Sequence, residues 1–212
     1  MKVFGLCICL FFAFPCLGQH LSMGIGFGVN QTRLRQNAPT IHVDFSNPHK
    51  AGFGFSTHAV ASLKFGNKFS AHLRPGLSIL TTNSDVTSDQ LFGFFTLSPE
   101  FGYAFTKRAS INVGLRYDYL LRWLSKFNGP YRNWTFFANR RHFLSPVMSL
   151  GYQVDTTWRT HIRFGYFLQD VFNSGALDHD GNIVGPVMVY PYTIEIGCDY
   201  LIIKEARKSK KD

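Results

Sequence analysis

The chain has 212 residues, 17% of them charged and 16% aromatic, with a formal net charge of +9. Soluble domains average about 25% charged residues, so a conventional water-facing surface is poorly supplied, and no run approaches the roughly 18 consecutive apolar residues of a membrane-spanning helix. Any membrane crossing therefore falls to strands, and the export signal described next sets aside the nucleic-acid reading that a positive charge would otherwise invite.

Residues 1–18, "MKVFGLCICLFFAFPCLG", combine Lys2, an apolar stretch and a small residue before Gln19. This is the pattern of a cleavable signal peptide. Cys7, Cys9 and Cys16 leave with it, so the mature domain, 19–203, keeps only Cys198 and forms no internal disulfide. Residues 204–212, "KEARKSKKD", form a basic tail with five Lys/Arg against Glu205 and Asp212. Its plain reading is a solvated end.

Between these ends, segments of alternating polarity return eight times, over 21–32, 52–65, 69–82, 91–105, 109–124, 143–154, 160–171 and 187–203. Alternation at period 2 predicts strands. The connections at 66–68, 106–108 and 155–159 are tight, whereas 33–51, 125–142 and 172–186 are long and 83–90 is intermediate. In an up-and-down meander all tight turns then share one rim, as in outer-membrane barrels. The predicted fold is all-β, an eight-stranded antiparallel up-and-down transmembrane β-barrel preceded by a signal peptide. Pro75, Pro99, Pro146 and Pro191 fall inside strands, where a missing N–H predicts bulges or breaks.

The fifth segment, "INVGLRYDYLLRWL", sorts the two faces. Ile111, Val113, Leu115, Tyr117, Tyr119, Leu121 and Trp123 take one face; Asn112, Gly114, Arg116, Asp118 and Arg122 share the other. Alternation alone also suits a soluble lipocalin-like barrel around an apolar ligand. Volume decides, because the interior of eight strands is just filled by side chains, so the face of Gly and Ser turns inward and the bulky apolar face meets lipid. Trp123 is then expected at the outer interface.

Charges on the inward face need compensation in a low dielectric. The sequence supplies Lys64, Arg74, Arg116, Arg122 and Arg163 against Glu100, Asp118, Glu195 and Asp199, which predicts an ion-pair and hydrogen-bond network plugging the lumen. His58, His72 and His161 also fall inward, and hydrogen-bonded membership of this plug explains them better than a metal site does. No metal, cofactor or catalytic residue is assigned. A lipid A-modifying acyl hydrolase or transferase would need a serine, a histidine and a carboxylate near the outer rim. The nearest set is His142, Ser145, Asp178 and Asp180, but a three-residue spacing sends His142 and Ser145 to opposite faces of a strand.

The loop 126–142 concentrates Arg132, Arg140 and Arg141 with Trp134 and Phe136. Aromatic residues at head-group level and cations against lipopolysaccharide phosphates predict an interfacial anchor. The same residues make a candidate outer-loop recognition patch.

The stretches "MGIGFGVNQT", "GFGFSTHAVASLKFGNKFSAHLRPGLSI", "FFTLSPEFGYAF" and "SLGYQVDTTWRTHIRFGYFLQDV" resemble, in order and spacing, the PorT-like small outer-membrane β-barrel proteins of Bacteroidetes. The resemblance spans nearly all of the mature chain and rests on glycine, aromatic and alternating patterns. It implies an OmpA-type eight-stranded barrel of the bacterial outer membrane. The family's founding type is associated with protein secretion. The expected surroundings are outer-membrane lipid, lipopolysaccharide and envelope or secretion proteins, with the barrel a monomer and no nucleic acid bound. The basic tail departs from the aromatic C-terminal residue usual for such barrels.

Overall fold

The computed structural model describes residues 20–37, 52–82, 89–126, 130, 132–133, 140–169, 172–177 and 183–203. Its strands are β1 (His20–Asn37), β2 (Gly52–Phe65), β3 (Phe69–Thr82), β4 (Asp89–Ala104), β5 (Ala109–Lys126), β6 (Arg132–Asn133), β7 (His142–Gln153), β8 (Trp158–Tyr166), β9 (Phe172–Leu177) and β10 (Ile183–Ile203). Eight of them form an antiparallel meander, β1-β2-β3-β4-β5-β7-β8-β10, and β10 pairs back onto β1 to close the barrel. The two short strands sit in the long connections: β6 pairs with Leu124 and Ser125, and β9 pairs along β10 from Ile183 to Val189. They extend the wall on the long-loop side.

Closure follows from the sequence. Each strand alternates buried and exposed positions, as β8 shows without interruption from Trp158 to Tyr166, so one face per strand must be enclosed. Tight turns between β2 and β3, β4 and β5, and β7 and β8 all lie on one rim. Gly66 holds the first of them with φ 63°, a conformation in which a Cβ would be strained.

The outward face is apolar: Phe53, Phe55 and Ile196 are 64%, 66% and 63% exposed. Water would penalise such a surface, and hydrocarbon would not. Aromatic residues gather at its tight-turn edge, where Trp158 and Tyr200 lie 4.9 Å apart and Phe69 and Tyr103 5.5 Å apart. At the other edge Tyr117 and Tyr119 flank His142, whose Nδ1 meets the Tyr117 hydroxyl. Two such girdles around an apolar band mark a membrane-spanning barrel.

Three sequence expectations need correction here. The prolines cause no bulge: the register is unshifted through Pro75, Pro99, Pro146 and Pro191. What changes is local pairing, since the β2–β3 ladder skips from His58↔Gly76 to Ala61↔Leu73 and the β4–β5 ladder skips from Leu97↔Tyr117 to Glu100↔Gly114. Pro75 and Pro99 interrupt the ladder because they have no N–H to donate. Strand limits also differ, with β1 and β10 longer than expected and β8 ending at Tyr166.

The third correction concerns β5. Phe94 faces Leu120 and Gly93 faces Arg122, so Leu121 is an extra residue in the ladder. A bulge of this kind resets which face each later side chain takes. Leu121 and Arg122 are both exposed, so Arg122 is not a lumen residue. Trp123 turns inward instead of outward and stacks on Phe92, with centroids 5.9 Å apart.

Candidate functional site

The lumen has two tiers. Nearer the tight-turn rim, β10 places Asp199 and Glu195, β8 places Arg159, His161 and Arg163, β3 places Arg74, β4 places Glu100 and β2 places His58 and Ser56; all these positions share inward parity. Arg74 donates from Nη1 and Nη2 to the two Asp199 oxygens at 2.8 and 2.9 Å. Arg159 donates to Asp199 Oδ2 from Nε and Nη2 at 3.1 and 2.9 Å. Such two-pronged contacts suit the planar guanidinium.

Arg163 spans the two glutamates, with Nη1 3.0 Å from Glu195 Oε1 and Nη2 3.0 Å from Glu100 Oε1. The Ser56 hydroxyl donates to Glu195 at 2.6 Å, and the Ser98 and Ser149 hydroxyls donate to Glu100 at 3.1 and 3.2 Å. Hydrogen bonding of this density lets a buried charge persist. Gly26 and Gly197 make room: a Cβ on Gly26 would lie 2.3 Å from His58 Nε2, and one on Gly197 2.6 Å from His161 Nε2.

A separate pair lies farther out on β5, where Arg116 Nε donates to Asp118 Oδ2 at 2.9 Å. Its guanidinium sits 5.3 Å from the Phe167 ring centroid, where the ring face attracts a cation. Above this pair begins the second tier, an apolar cluster of Leu80, Phe92, Phe94, Leu120, Phe143 and Phe167 with Trp123 packed against it. Phe94 and Phe143 meet edge to face at 6.0 Å. The outer half of the lumen is thus apolar and aromatic, the inner half ionic.

Of the lumen residues named from sequence, Arg74, Glu100, Arg116, Asp118, Arg163, Glu195 and Asp199 are buried inside. Lys64 is not: it has inward parity but is the last such position before the Gly66 turn, and its side chain is exposed at the mouth. Arg122 is exposed through the Leu121 bulge. Sequence reasoning missed Arg159, assigned to a turn because β8 was started at residue 160; the spacing Arg159, His161, Arg163 carried the signal. With Arg159 in place of Lys64 and Arg122, the buried charges among the described residues are four arginines and four carboxylates. The aromatic tier was also missed, although Phe92 and Phe94 share the parity of Thr96, Ser98 and Glu100.

His58, His161 and Asp199 bring possible ligand atoms within 4.8 Å of one another. Their neighbours oppose a cation: both Asp199 oxygens already accept from guanidiniums, and an Arg74 terminal nitrogen lies 2.8 Å from His58 Nε2. A metal ion would have to displace these arginines against their charge. His72 stands apart, between the Ser62 and Ser70 hydroxyls at 2.5 and 2.9 Å.

His142 is exposed on the outside while Ser145 is fully buried inside, so the two are not brought together; Asp178 and Asp180 lie outside the described residues. In the outer-loop patch, Arg132, Arg140 and Arg141 are exposed, and Trp134 and Phe136 lie outside the described residues.

No family model matches the chain, and no curated protein is detectably similar to it in sequence. Solved structures are similar in fold. Neisserial surface protein A (NspA) superposes with a TM-score of 0.53 at 10% identity, covering 84% of this chain and 97% of that one. Ail, the attachment invasion locus protein of Yersinia pestis, gives 0.50 at 14% identity, covering 85% and 98%. At these identities the likeness speaks for the fold, and it agrees with the apolar belt and the two aromatic girdles. The chain is a closed eight-stranded antiparallel β-barrel of the bacterial outer membrane.

Proposed function

We propose that this protein is a non-conducting, non-enzymatic outer-membrane barrel that acts through its surfaces, as a structural or interaction component of the envelope. The observation that carries this reading is the filled lumen: a charge-balanced cluster below and an aromatic cluster above occupy the interior, and eight strands leave little room besides. Function then moves to what the rims and loops touch. Exposed Arg132, Arg140 and Arg141 suit lipopolysaccharide phosphates, with Trp134 and Phe136 completing the patch in sequence. Closure of β1 on β10 leaves no free edge between them, which favours a monomer.

The resemblance to PorT-like proteins supports service to protein secretion or envelope integrity. The separation of His142 from Ser145 supports a role without acyl hydrolysis or transfer. Cells lacking the protein should keep the lipid A mass profile of cells that have it, and should show altered composition of crosslinked envelope complexes. Replacing Arg132, Arg140 and Arg141 together by Gln should reproduce that alteration without loss of the folded barrel. An acyl-chain change in lipid A that depends on the protein would contradict this reading.

A further inference from the structure

The charge of this molecule is unevenly placed. The lumen is neutral, whereas the tight-turn rim and the segment after it carry Lys64, Lys68, Lys107, Arg108 and the five Lys/Arg of 204–212 against Asp155, Glu205 and Asp212. The described rim residues are four cations against one anion, and residues 204–212 add five Lys/Arg against two acids in sequence.

Part of this charge is built into a concavity. A cavity of about 490 Å³ at the barrel mouth is lined by Ser22, Lys64, Lys107, Arg108, Gln153 and Asp155 among others. Its floor is fixed by the β7–β8 turn: Asp155 Oδ1 accepts the Thr157 and Trp158 N–H groups at 2.5 and 2.8 Å, and Gln153 N donates to Arg108 O at 2.7 Å. The Arg108 guanidinium is engaged with the Tyr152 side chain at the edge. Among the described residues, Lys64 and Lys107 carry no ion pair.

We propose that this mouth is a carboxylate-binding site that docks the barrel onto peptidoglycan, with Lys64 and Lys107 as the cations that hold a stem-peptide carboxylate. Phospholipid head groups ring the outside of a barrel, whereas Lys64 stands on the lumen-facing side of β2 and the cavity lies in the mouth between β1, β2 and the turns that join β4 to β5 and β7 to β8, the short turns that face the periplasm in outer-membrane barrels. A ligand reaching both lysines therefore arrives from the periplasm. Residues 204–212 follow β10 in sequence and supply five further Lys/Arg, which would add longer-range attraction to a polyanion. Lysine ammonium groups pair with carboxylates without geometric demands, which suits a heterogeneous polymer.

The test uses the full mature chain folded in zwitterionic detergent and sedimented with purified peptidoglycan sacculi. The wild type should co-sediment, should be released by salt, and should fail to bind sacculi whose carboxylates have been amidated. The double variant Lys64→Gln, Lys107→Gln should bind about tenfold more weakly, the size of two charge contacts at exposed positions. Lys68→Gln, a loss of charge in a turn outside the cavity, should bind like the wild type. Folding of each variant is checked by heat-modifiable gel migration. Equal binding to amidated sacculi, equal losses in the Lys68 and double variants, or displacement by phosphatidylglycerol bicelles but not by soluble muropeptides would overturn the proposal.

Discussion

Asp199 is the most heavily engaged carboxylate of the lumen, held by two guanidiniums and placed 2.9 Å from His58 Nε2. Removing one partner of a buried ion pair costs far more than the pair contributes on balance, because the other charge is stranded. Asp199→Asn keeps the shape but strands Arg159 and leaves Arg74 only Glu100, 3.7 Å from its Nε; we expect a loss of about 3 to 5 kcal/mol in denaturant unfolding of the lipid-reconstituted barrel. Arg116→Leu should cost a similar amount through Asp118, which is only 1% exposed. The same assay, showing no change for Arg116→Leu, would mean that water reaches Asp118. Gly26→Val should fail to give the folded gel form at all, since its side chain would overlap His58 and Asp199, whereas Gly66→Ala, with nothing within 4 Å, should fold with only a backbone penalty of about 1 to 2 kcal/mol for its positive φ.

At the scale of the strand, β5 decides the outer half of the lumen. Because Leu121 is the extra residue, its deletion leaves Leu120 inward, Arg122 outward and Trp123 inward, and the barrel should still fold. Single-tryptophan variants check the orientation directly. Trp158, exposed on the outer face, should be strongly quenched by brominated lipid, and Trp123 should be quenched little, with or without Leu121. The parity of each strand was legible in the sequence because lipid and a narrow lumen impose opposite size and polarity on successive residues; Phe27, Phe55, Arg74 and Glu100 all follow it. The phase change at Leu121 was not legible, because a bulge depends on how two strands meet and "DYLLRWL" alternates well enough without it. Arg159 was missed for a related reason, as the start of β8 is set by the turn hydrogen bonds of Asp155. The aromatic tier was hidden by chemistry: Phe92, Phe94, Phe143 and Phe167 have the composition of lipid-facing positions, and only their parity distinguishes them.

At the scale of the whole molecule, the fold assigns a different physics to each surface. The outer wall is stabilised by lipid, the lower lumen by four arginines against four carboxylates, and the upper lumen by aromatic packing. A soluble domain reverses the outer wall and the lower lumen, with ions outside and apolar groups inside, and shares only the upper lumen's buried rings. The lumen neutralises its own charge, and the tight-turn rim keeps Lys64, Lys68, Lys107 and Arg108 against Asp155. Crosslinking of the reconstituted barrel at low density should give a monomer, as expected of a wall closed by β1 on β10. The central claim is that the two tiers fill the interior. Its most direct test is single-channel recording of the mature protein in planar bilayers, after heat-modifiable migration has shown it folded. A filled lumen gives no sustained conductance steps, and stepwise currents that scale with salt concentration in the unmodified protein would contradict it.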